Sequence, residues 1–194
     1  MTERSPIDKR SPKEFWDDQH KTLATDQYVW IEAAYELTRA FDILVKEYKE
    51  NMSPSGIEAS LYPDISKSAI FLGALAIENL LKAIRLKQLP SPFNEQGEFI
   101  LKTHKLYKLA SDASIIMTVE DNVRLERLEE FITWVGRYPI PLSSESLRPR
   151  TLPGGGYAPL AGYAIPQEFA DISSLIERLK TMLPNISYVT INKE

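Results

Sequence analysis

The sequence predicts an all-α fold: an up-and-down bundle of about five main helices, with a long Pro/Gly-rich loop before the last helix. Apolar residues recur at the i, i+3, i+4, i+7 spacing of helices in several segments. Helix-capping and helix-stopping residues separate these segments. No region shows the sustained apolar–polar alternation of a strand-rich protein. We therefore expect one helical-bundle domain over residues 11–194, preceded by a disordered arm over residues 1–10.

The first two helices have clear start and stop signals. Ser11-Pro12-Lys13-Glu14 matches a capping box with Pro at the first helical position, which predicts a short helix there. A longer helix is predicted over residues 26–51, and residues 53–56 (Ser-Pro-Ser-Gly) end it. Its inward face is predicted to consist of Trp30, Ala33, Ala34, Leu37, Phe41, Leu44, Val45 and Tyr48.

Residues 66–89 predict the central helix, which Asp64 can cap and Pro90 ends. Residues 69–77 are all apolar or Gly, so we expect protein on every side of this half. Glu78, Lys82 and Arg85 then follow at i, i+4 and i+7, which places them on one helix face.

Two interpretations of this charged stripe are open. In one, Glu78 and Lys82 form a solvated ion pair where the helix leaves the core. In the other, they form a half-buried ionic cluster, whose desolvation cost requires a further partner, either His104 or an Arg.

Three more helices complete the predicted bundle. Residues 90–102 are predicted to form a loop with a small hairpin around residues 94–97, and Thr103 is expected to cap a short helix. Thr118 is expected to start the next helix and Gly136 to end it. The last helix is expected to begin at Pro166 and continue to Pro184. Its buried residues are predicted to be Phe169, Ile172, Leu175, Ile176, Leu179, Met182 and Leu183.

The loop insertion over residues 137–165 carries five prolines and a Gly triplet at 154–156. A loop of this length inside a domain is usually functional or disordered. An extended tail is expected over residues 188–191.

Composition excludes several classes of function. The net charge of −4 gives no global attraction to nucleic acid, although a local basic patch is compatible with it. The absence of cysteine excludes disulfides, thiol catalysis and cysteine metal sites. With only two histidines, His20 and His104, no metal or cofactor is expected. The polar N-terminus lacks a signal peptide and no apolar run is long enough to cross a membrane, so we expect a cytoplasmic protein without membrane partners.

The candidate ligand-binding residues outside the stripe each have a structural alternative. His104, between Lys102 and Lys105, is either a surface or capping histidine or an anion contact at a helix start. Arg137 and Tyr138 suit stacking plus phosphate contact, or else they finish the preceding helix. Arg148 and Arg150, with the Gly triplet, suit a phosphate contact or a flexible loop. The triplet lacks the Lys and Ser/Thr of a P-loop.

Three segments together resemble the HEPN superfamily of compact helical bundles. They are GALAIENLLKAIRL, THKLYKLA and WVGRYP, within a match over about residues 26–183. In this family the second major helix typically reads apolar-Glu-x-x-x-Lys and a His-x-Leu helix start follows. These features correspond here to Glu78, Lys82 and His104.

The resemblance implies either a metal-independent ribonuclease or a noncatalytic module that binds RNA or a nucleotide. It also implies a homodimer, with a cognate protein partner, in toxin–antitoxin, abortive-infection or stress systems. The ribonucleases of the family share a short Arg-to-His motif, which neither histidine of this chain completes. A noncatalytic binding module is therefore the first hypothesis. The alternatives are a degenerate ribonuclease that uses His104 and Arg137, and a purely structural dimerising bundle.

Overall fold

The protein is described here by a computed structural model, which covers residues 11–51, 65–137 and 166–184. The predicted arm (1–10), the breaker at 53–56, Asp64, the loop beyond Arg137 and the tail at 188–191 lie outside these ranges. The described residues form six α-helices: α1 (Pro12–Thr25), α2 (Gln27–Asn51), α3 (Ser66–Gln88), α4 (Leu106–Asp112), α5 (Val119–Glu130) and α6 (Pro166–Lys180). A π-helical turn over Phe131–Val135 extends α5. The all-α prediction is confirmed.

The described part of the chain has no strand, and its only sheet-like feature is one antiparallel bridge between Phe93 and Phe99. This bridge confirms the predicted hairpin. Gly97 lies in the left-handed region at φ 76°, a conformation that glycine adopts without a steric penalty. The hairpin places the Phe99 ring against Trp30 of α2 and the Phe93 ring beside His20 of α1.

Helix α3 is the centre of the bundle and packs against α2, α4, α6 and the π-helical turn. Within its apolar half, Ala69, Ile70, Ala74, Ala76 and Ile77 are fully buried. Phe71, Leu72 and Leu75 are only half-buried, so the expectation of protein on every side is met in part. Gly73 lies at the closest approach, where an added Cβ would be 2.7 Å from Ile172 and 3.1 Å from Phe41. The small residues of α3 therefore allow two helices to pack close to its axis.

Two capping boxes are present: the predicted one at Ser11, and a second one at Thr118, where only a helix start is predicted. Ser11 and Glu14 exchange side-chain and backbone hydrogen bonds at the start of α1. Thr118 and Asp121 do the same at the start of α5. Each box satisfies two backbone N–H groups that the first turn of a helix leaves unpaired.

Three predicted helix ends are wrong. Lys105, not Thr103, is the N-cap of α4, and Thr103 instead accepts a hydrogen bond from the backbone N–H of Lys105. Ile65 occupies the N-cap position of α3 without a side-chain cap. Helix α6 ends at Lys180, before Met182, whose side chain is exposed. Each of these ends lies a few residues from its predicted position, in the terminal turn where helix boundaries are least sharply defined.

Gly136 ends the α5 region as predicted, but for a steric reason. Its φ of −79° is open to any residue. An added Cβ would lie 2.4 Å from the ring of Phe71 on α3. The position therefore excludes a side chain because α3 packs directly against it.

Among the described residues, no helix combines the length and apolar character needed to cross a membrane.

Candidate functional site

The charged stripe of α3 forms a buried ionic cluster, here called the α3 cluster, of Glu78, Lys82 and His104. Lys82 Nζ donates to Glu78 Oε1 at 2.6 Å, and His104 Nδ1 lies 2.9 Å from Glu78 Oε2. The side chains of Glu78 and Lys82 are 5% and 6% exposed, whereas that of His104 is 47% exposed. The cluster therefore begins in the core and ends at the surface.

Aromatic rings exclude water from the lysine end of the α3 cluster. Lys82 Nζ lies 5.3 Å from the centroid of the Trp30 ring, a cation–π arrangement. Phe99 of the hairpin stacks on Trp30, with ring centroids 5.8 Å apart and planes 10° from parallel. The solvated-pair interpretation is thus wrong. The half-buried cluster is the arrangement found, and its third member is His104.

Hydrogen-bond chemistry assigns the proton of His104. An ionised Glu78 has only acceptor oxygens, so the imidazole nitrogen that faces it must carry hydrogen. His104 Nδ1–H therefore donates to Glu78 Oε2. No hydrogen bond within the described ranges involves His104 Nε2. The arrangement fixes the ring by one nitrogen and leaves the other available to water.

The start of α4 is already occupied by a carboxylate of the chain. Glu129 Oε1 accepts the backbone N–H of Tyr107 at 3.1 Å, and Glu129 Oε2 pairs with Lys105 Nζ at 3.2 Å. His104 precedes the N-cap residue and so lies outside the helix, not at the first helical position that a cap at Thr103 would give it. The anion expected at this helix start is supplied by α5.

The remaining candidate residues do not join the α3 cluster. Arg85 donates to Gln88 Oε1 at 3.2 Å near the end of α3. Arg137 is exposed, and its backbone N–H donates to the Trp134 carbonyl. Within the part of the chain that the structure describes, no hydrogen bond or ion pair links Arg137 to His104. Tyr138, Arg148 and Arg150 lie outside the described residues.

The segment that follows the hairpin carries a set of residues that we call the basic edge: the exposed side chains of Lys102, His104, Lys105, Tyr107 and Lys108. No acidic residue occurs between Glu98 and Asp112. Lys105 pairs with Glu129, and Lys108 pairs with Asp112 at 2.6 Å. Net charge counted over short windows could have found this edge, because the whole-chain charge of −4 hides it.

A second polar network, absent from the sequence predictions, joins α5 to α6. Arg124 pairs with Asp171 at 2.8 Å, and Arg127 forms a two-pronged pair with Glu168. Arg178 Nη2 donates to Asp121 Oδ2 at 2.7 Å. Burial raises the pKa of Asp121, but the hydrogen bonds from Arg178 and Thr118 outweigh it, so this pKa lies below its usual 3.8. These pairs fix the register of α6 on α5.

Comparison with known proteins finds no matching family model, no matching curated protein and no matching solved structure. The resemblance to HEPN proteins therefore depends on the residues of this chain alone.

Proposed function

We propose that this protein is a noncatalytic HEPN-like module that binds single-stranded RNA along its basic edge. The observation that carries the proposal is the composition of that edge within an acidic protein. Three lysines and one histidine are exposed there together with Tyr107, whose residue is 49% exposed. Proteins that bind single strands usually combine two elements: positively charged side chains along the path of the phosphate backbone, and aromatic rings on which bases stack.

The ion pairs of the edge do not prevent binding. Lys105 and Lys108 contact carboxylates, but their own side chains are 66% and 62% exposed. Ion pairs at such exposure contribute about 0–1 kcal/mol, so a phosphate can replace the carboxylate at little cost. Lys102 makes no ion pair within the described ranges. The edge can therefore offer three cations to a polyanion.

The test is fluorescence anisotropy with a labelled single-stranded RNA of about 12 nucleotides, titrated over a series of salt concentrations. Lys108→Ala should weaken binding and reduce the slope of log K against log salt by about 0.7, the value for one phosphate contact on a single strand. Tyr107→Ala should weaken binding by roughly 5- to 100-fold, the loss expected when one stacking ring is removed.

Lys46 provides a matched control. It is exposed and forms the same i, i+4 ion pair with Glu50 on α2 that Lys108 forms with Asp112 on α4. Lys46→Ala should leave RNA affinity and salt slope unchanged. Equal losses for Lys46→Ala and Lys108→Ala would show that only overall charge matters, and absence of salt-dependent binding would refute the proposal.

A second candidate, a metal-independent ribonuclease, is favoured by one observation. Glu78 orients His104 as a buried carboxylate orients a general base, with the other ring nitrogen toward solvent. Against it, no hydrogen bond or ion pair among the described residues joins Arg137 to His104, so nothing there supplies transition-state charge. RNA cleavage in EDTA by wild type beside His104→Ala decides this candidate, and equal cleavage or none in both excludes it.

The remaining parts of the proposal depend on the HEPN resemblance. They are a homodimer, a cognate protein partner and a role in stress response or phage defence. Sedimentation of the purified chain tests the dimer, since a monomer at micromolar concentration contradicts it. A shift of melting temperature on addition of nucleotides tests the alternative that a mononucleotide is the ligand.

A further inference from the structure

We propose that His104 accepts a hydrogen bond from the ribose 2′-hydroxyl and makes the basic edge prefer RNA to DNA. This inference rests on the proposed function, because it names the group that the same edge would recognise. It is based on the α3 cluster, in which the donor or acceptor role of each group fixes the role of the group it contacts. The half-exposed side chain of His104 is the end of the α3 cluster that faces solvent, through its second ring nitrogen, Nε2.

The tautomer of His104 follows from the two contacts of Glu78. The Lys82 ammonium can donate hydrogen bonds but cannot accept them, so Glu78 Oε1 must be the acceptor in their 2.6 Å contact. The second oxygen of this carboxylate, Oε2, accepts from Nδ1 of His104 at 2.9 Å. In a neutral imidazole the single N–H is thus on Nδ1. The lone pair is on Nε2.

An acceptor at this place recognises a donor that lies near phosphates. Phosphate oxygens and ether oxygens donate no hydrogen, whereas the 2′-hydroxyl does, and it is the group that distinguishes RNA from DNA. Lys102 and Lys105 flank His104 in sequence and are exposed, so a bound backbone passes beside the imidazole. Amino groups of bases are also donors, but both nucleic acids carry them. The hydroxyl is therefore the discriminating ligand group.

The first experiment compares three strands of one sequence at mildly alkaline pH: RNA, DNA and 2′-O-methyl RNA. The proposal expects wild-type protein to bind RNA roughly 3- to 10-fold more tightly than DNA, the effect of one net hydrogen bond. The 2′-O-methyl strand can accept but cannot donate at this position, so it should bind like DNA. If it binds like RNA, strand shape and not the hydroxyl sets the preference, and the proposal is wrong.

Glu78→Gln tests the tautomer directly. Lys82 still donates, so it should hold the amide oxygen of the new side chain in the Oε1 position. The amide NH₂ then faces His104 Nδ1 and forces that nitrogen to accept. The hydrogen moves to Nε2, which becomes a donor, and the RNA-to-DNA ratio should fall to about 1. A purely structural role for Glu78 would change stability without changing this ratio.

Two further variants keep the test decisive. Glu36→Gln on α2 makes the same charge change at an exposed residue and should preserve the ratio. His104→Ala alters a half-exposed side chain and leaves the Glu78–Lys82 pair in place, so it serves if Glu78→Gln does not fold. In His104→Ala the affinity for RNA should fall to that for DNA. If the ratio of RNA affinity to DNA affinity in His104→Ala equals that of wild type, the proposal is wrong.

The failures of the two proposals are distinguishable. Salt-dependent binding of RNA and DNA with equal affinity by wild-type protein overturns the role of His104 and leaves single-strand binding by the basic edge intact. No binding to any of the three strands refutes the proposed function and this inference together.

Discussion

Replacing one member of the Glu78–Lys82 pair should destabilise the fold far more than replacing both. The pair is inside the bundle, with its side chains 5% and 6% exposed. Among the described residues, its further ionic and cation–π partners are His104 and the Trp30 ring. Glu78→Met and Lys82→Met keep side-chain length and remove one charge each. Each single variant therefore leaves the other charge in an environment that excludes water.

The structure predicts different costs for the two variants. Glu78→Met leaves the Lys82 ammonium facing only an aromatic ring, so it should cost about 5 kcal/mol, the upper end of the range for breaking a buried pair. Lys82→Met leaves Glu78 bonded to His104 and should cost about 3 kcal/mol. The double variant leaves no buried charge and should be within about 2 kcal/mol of wild type. The coupling energy is the sum of the two single-variant costs minus the cost of the double variant, and it should thus be about 6 kcal/mol or more.

Urea unfolding followed by circular dichroism measures these free energies, provided that the transition is two-state. For a chain of this size each kcal/mol of stability shifts the melting temperature by about 2–4 °C. The melting temperature of Glu78→Met should therefore be about 10 °C or more below that of wild type. The same substitutions at Lys46 and Glu50, an exposed pair of equal spacing, are the control. They should change stability by about 0.5 kcal/mol at most.

Two results would refute this reasoning. A cost below about 1 kcal/mol for Glu78→Met would place the pair in the range of exposed ion pairs. Additive costs in the double variant would show that the two side chains do not interact, whatever their separation. Either result would return Glu78 and Lys82 to the solvated interpretation.

Two further predictions concern the α5 region. Because the pKa of Asp121 is below 3.8 in the folded protein, its ion pair and cap contribute stability that is complete above roughly pH 4 and is lost as pH falls through the folded pKa. Asp121→Asn should therefore have a lower melting temperature than wild type at pH 7, and the gap between the two melting temperatures should shrink as pH falls toward about 3. A gap that stays constant with pH would contradict this coupling between the protonation of Asp121 and stability. Gly136→Ala should cost about 1–3 kcal/mol in urea unfolding, because its Cβ would overlap Phe71, and Phe71→Leu should recover part of that loss. An unchanged midpoint for Gly136→Ala would show that Phe71 moves freely.

Local sequence patterns predicted the helices well. Apolar periodicity located α2 and α6, since a helix that buries one face must repeat its apolar residues every 3–4 positions. The capping boxes at Ser11 and Thr118 were also predictable, because the side chains that make them are within three residues of each other. Both signals act over one or two helical turns, so the sequence contains them explicitly.

The ends of α4 and α6 and the reason for Gly136 were not predictable in this way. The N-terminus of α4 is completed by Glu129, which comes from the following helix. The excluded volume at Gly136 belongs to Phe71, far away in the chain. Contacts of this kind depend on how helices are placed, and no local pattern encodes them.

For the candidate site, the sequence by itself determined which residue types share a face: Glu78 and Lys82 lie one turn apart on any helix. It also allowed two environments for them, solvent or core, because helical periodicity shows which face of the helix a side chain is on and not how deeply that face is buried. Only the tertiary structure decided between these environments. The packing of Trp30 and Phe99 over Lys82, and the approach of His104 to Glu78, remove water from the pair. Burial changes the energy of a charge more than any local feature does, and burial is set by the whole fold.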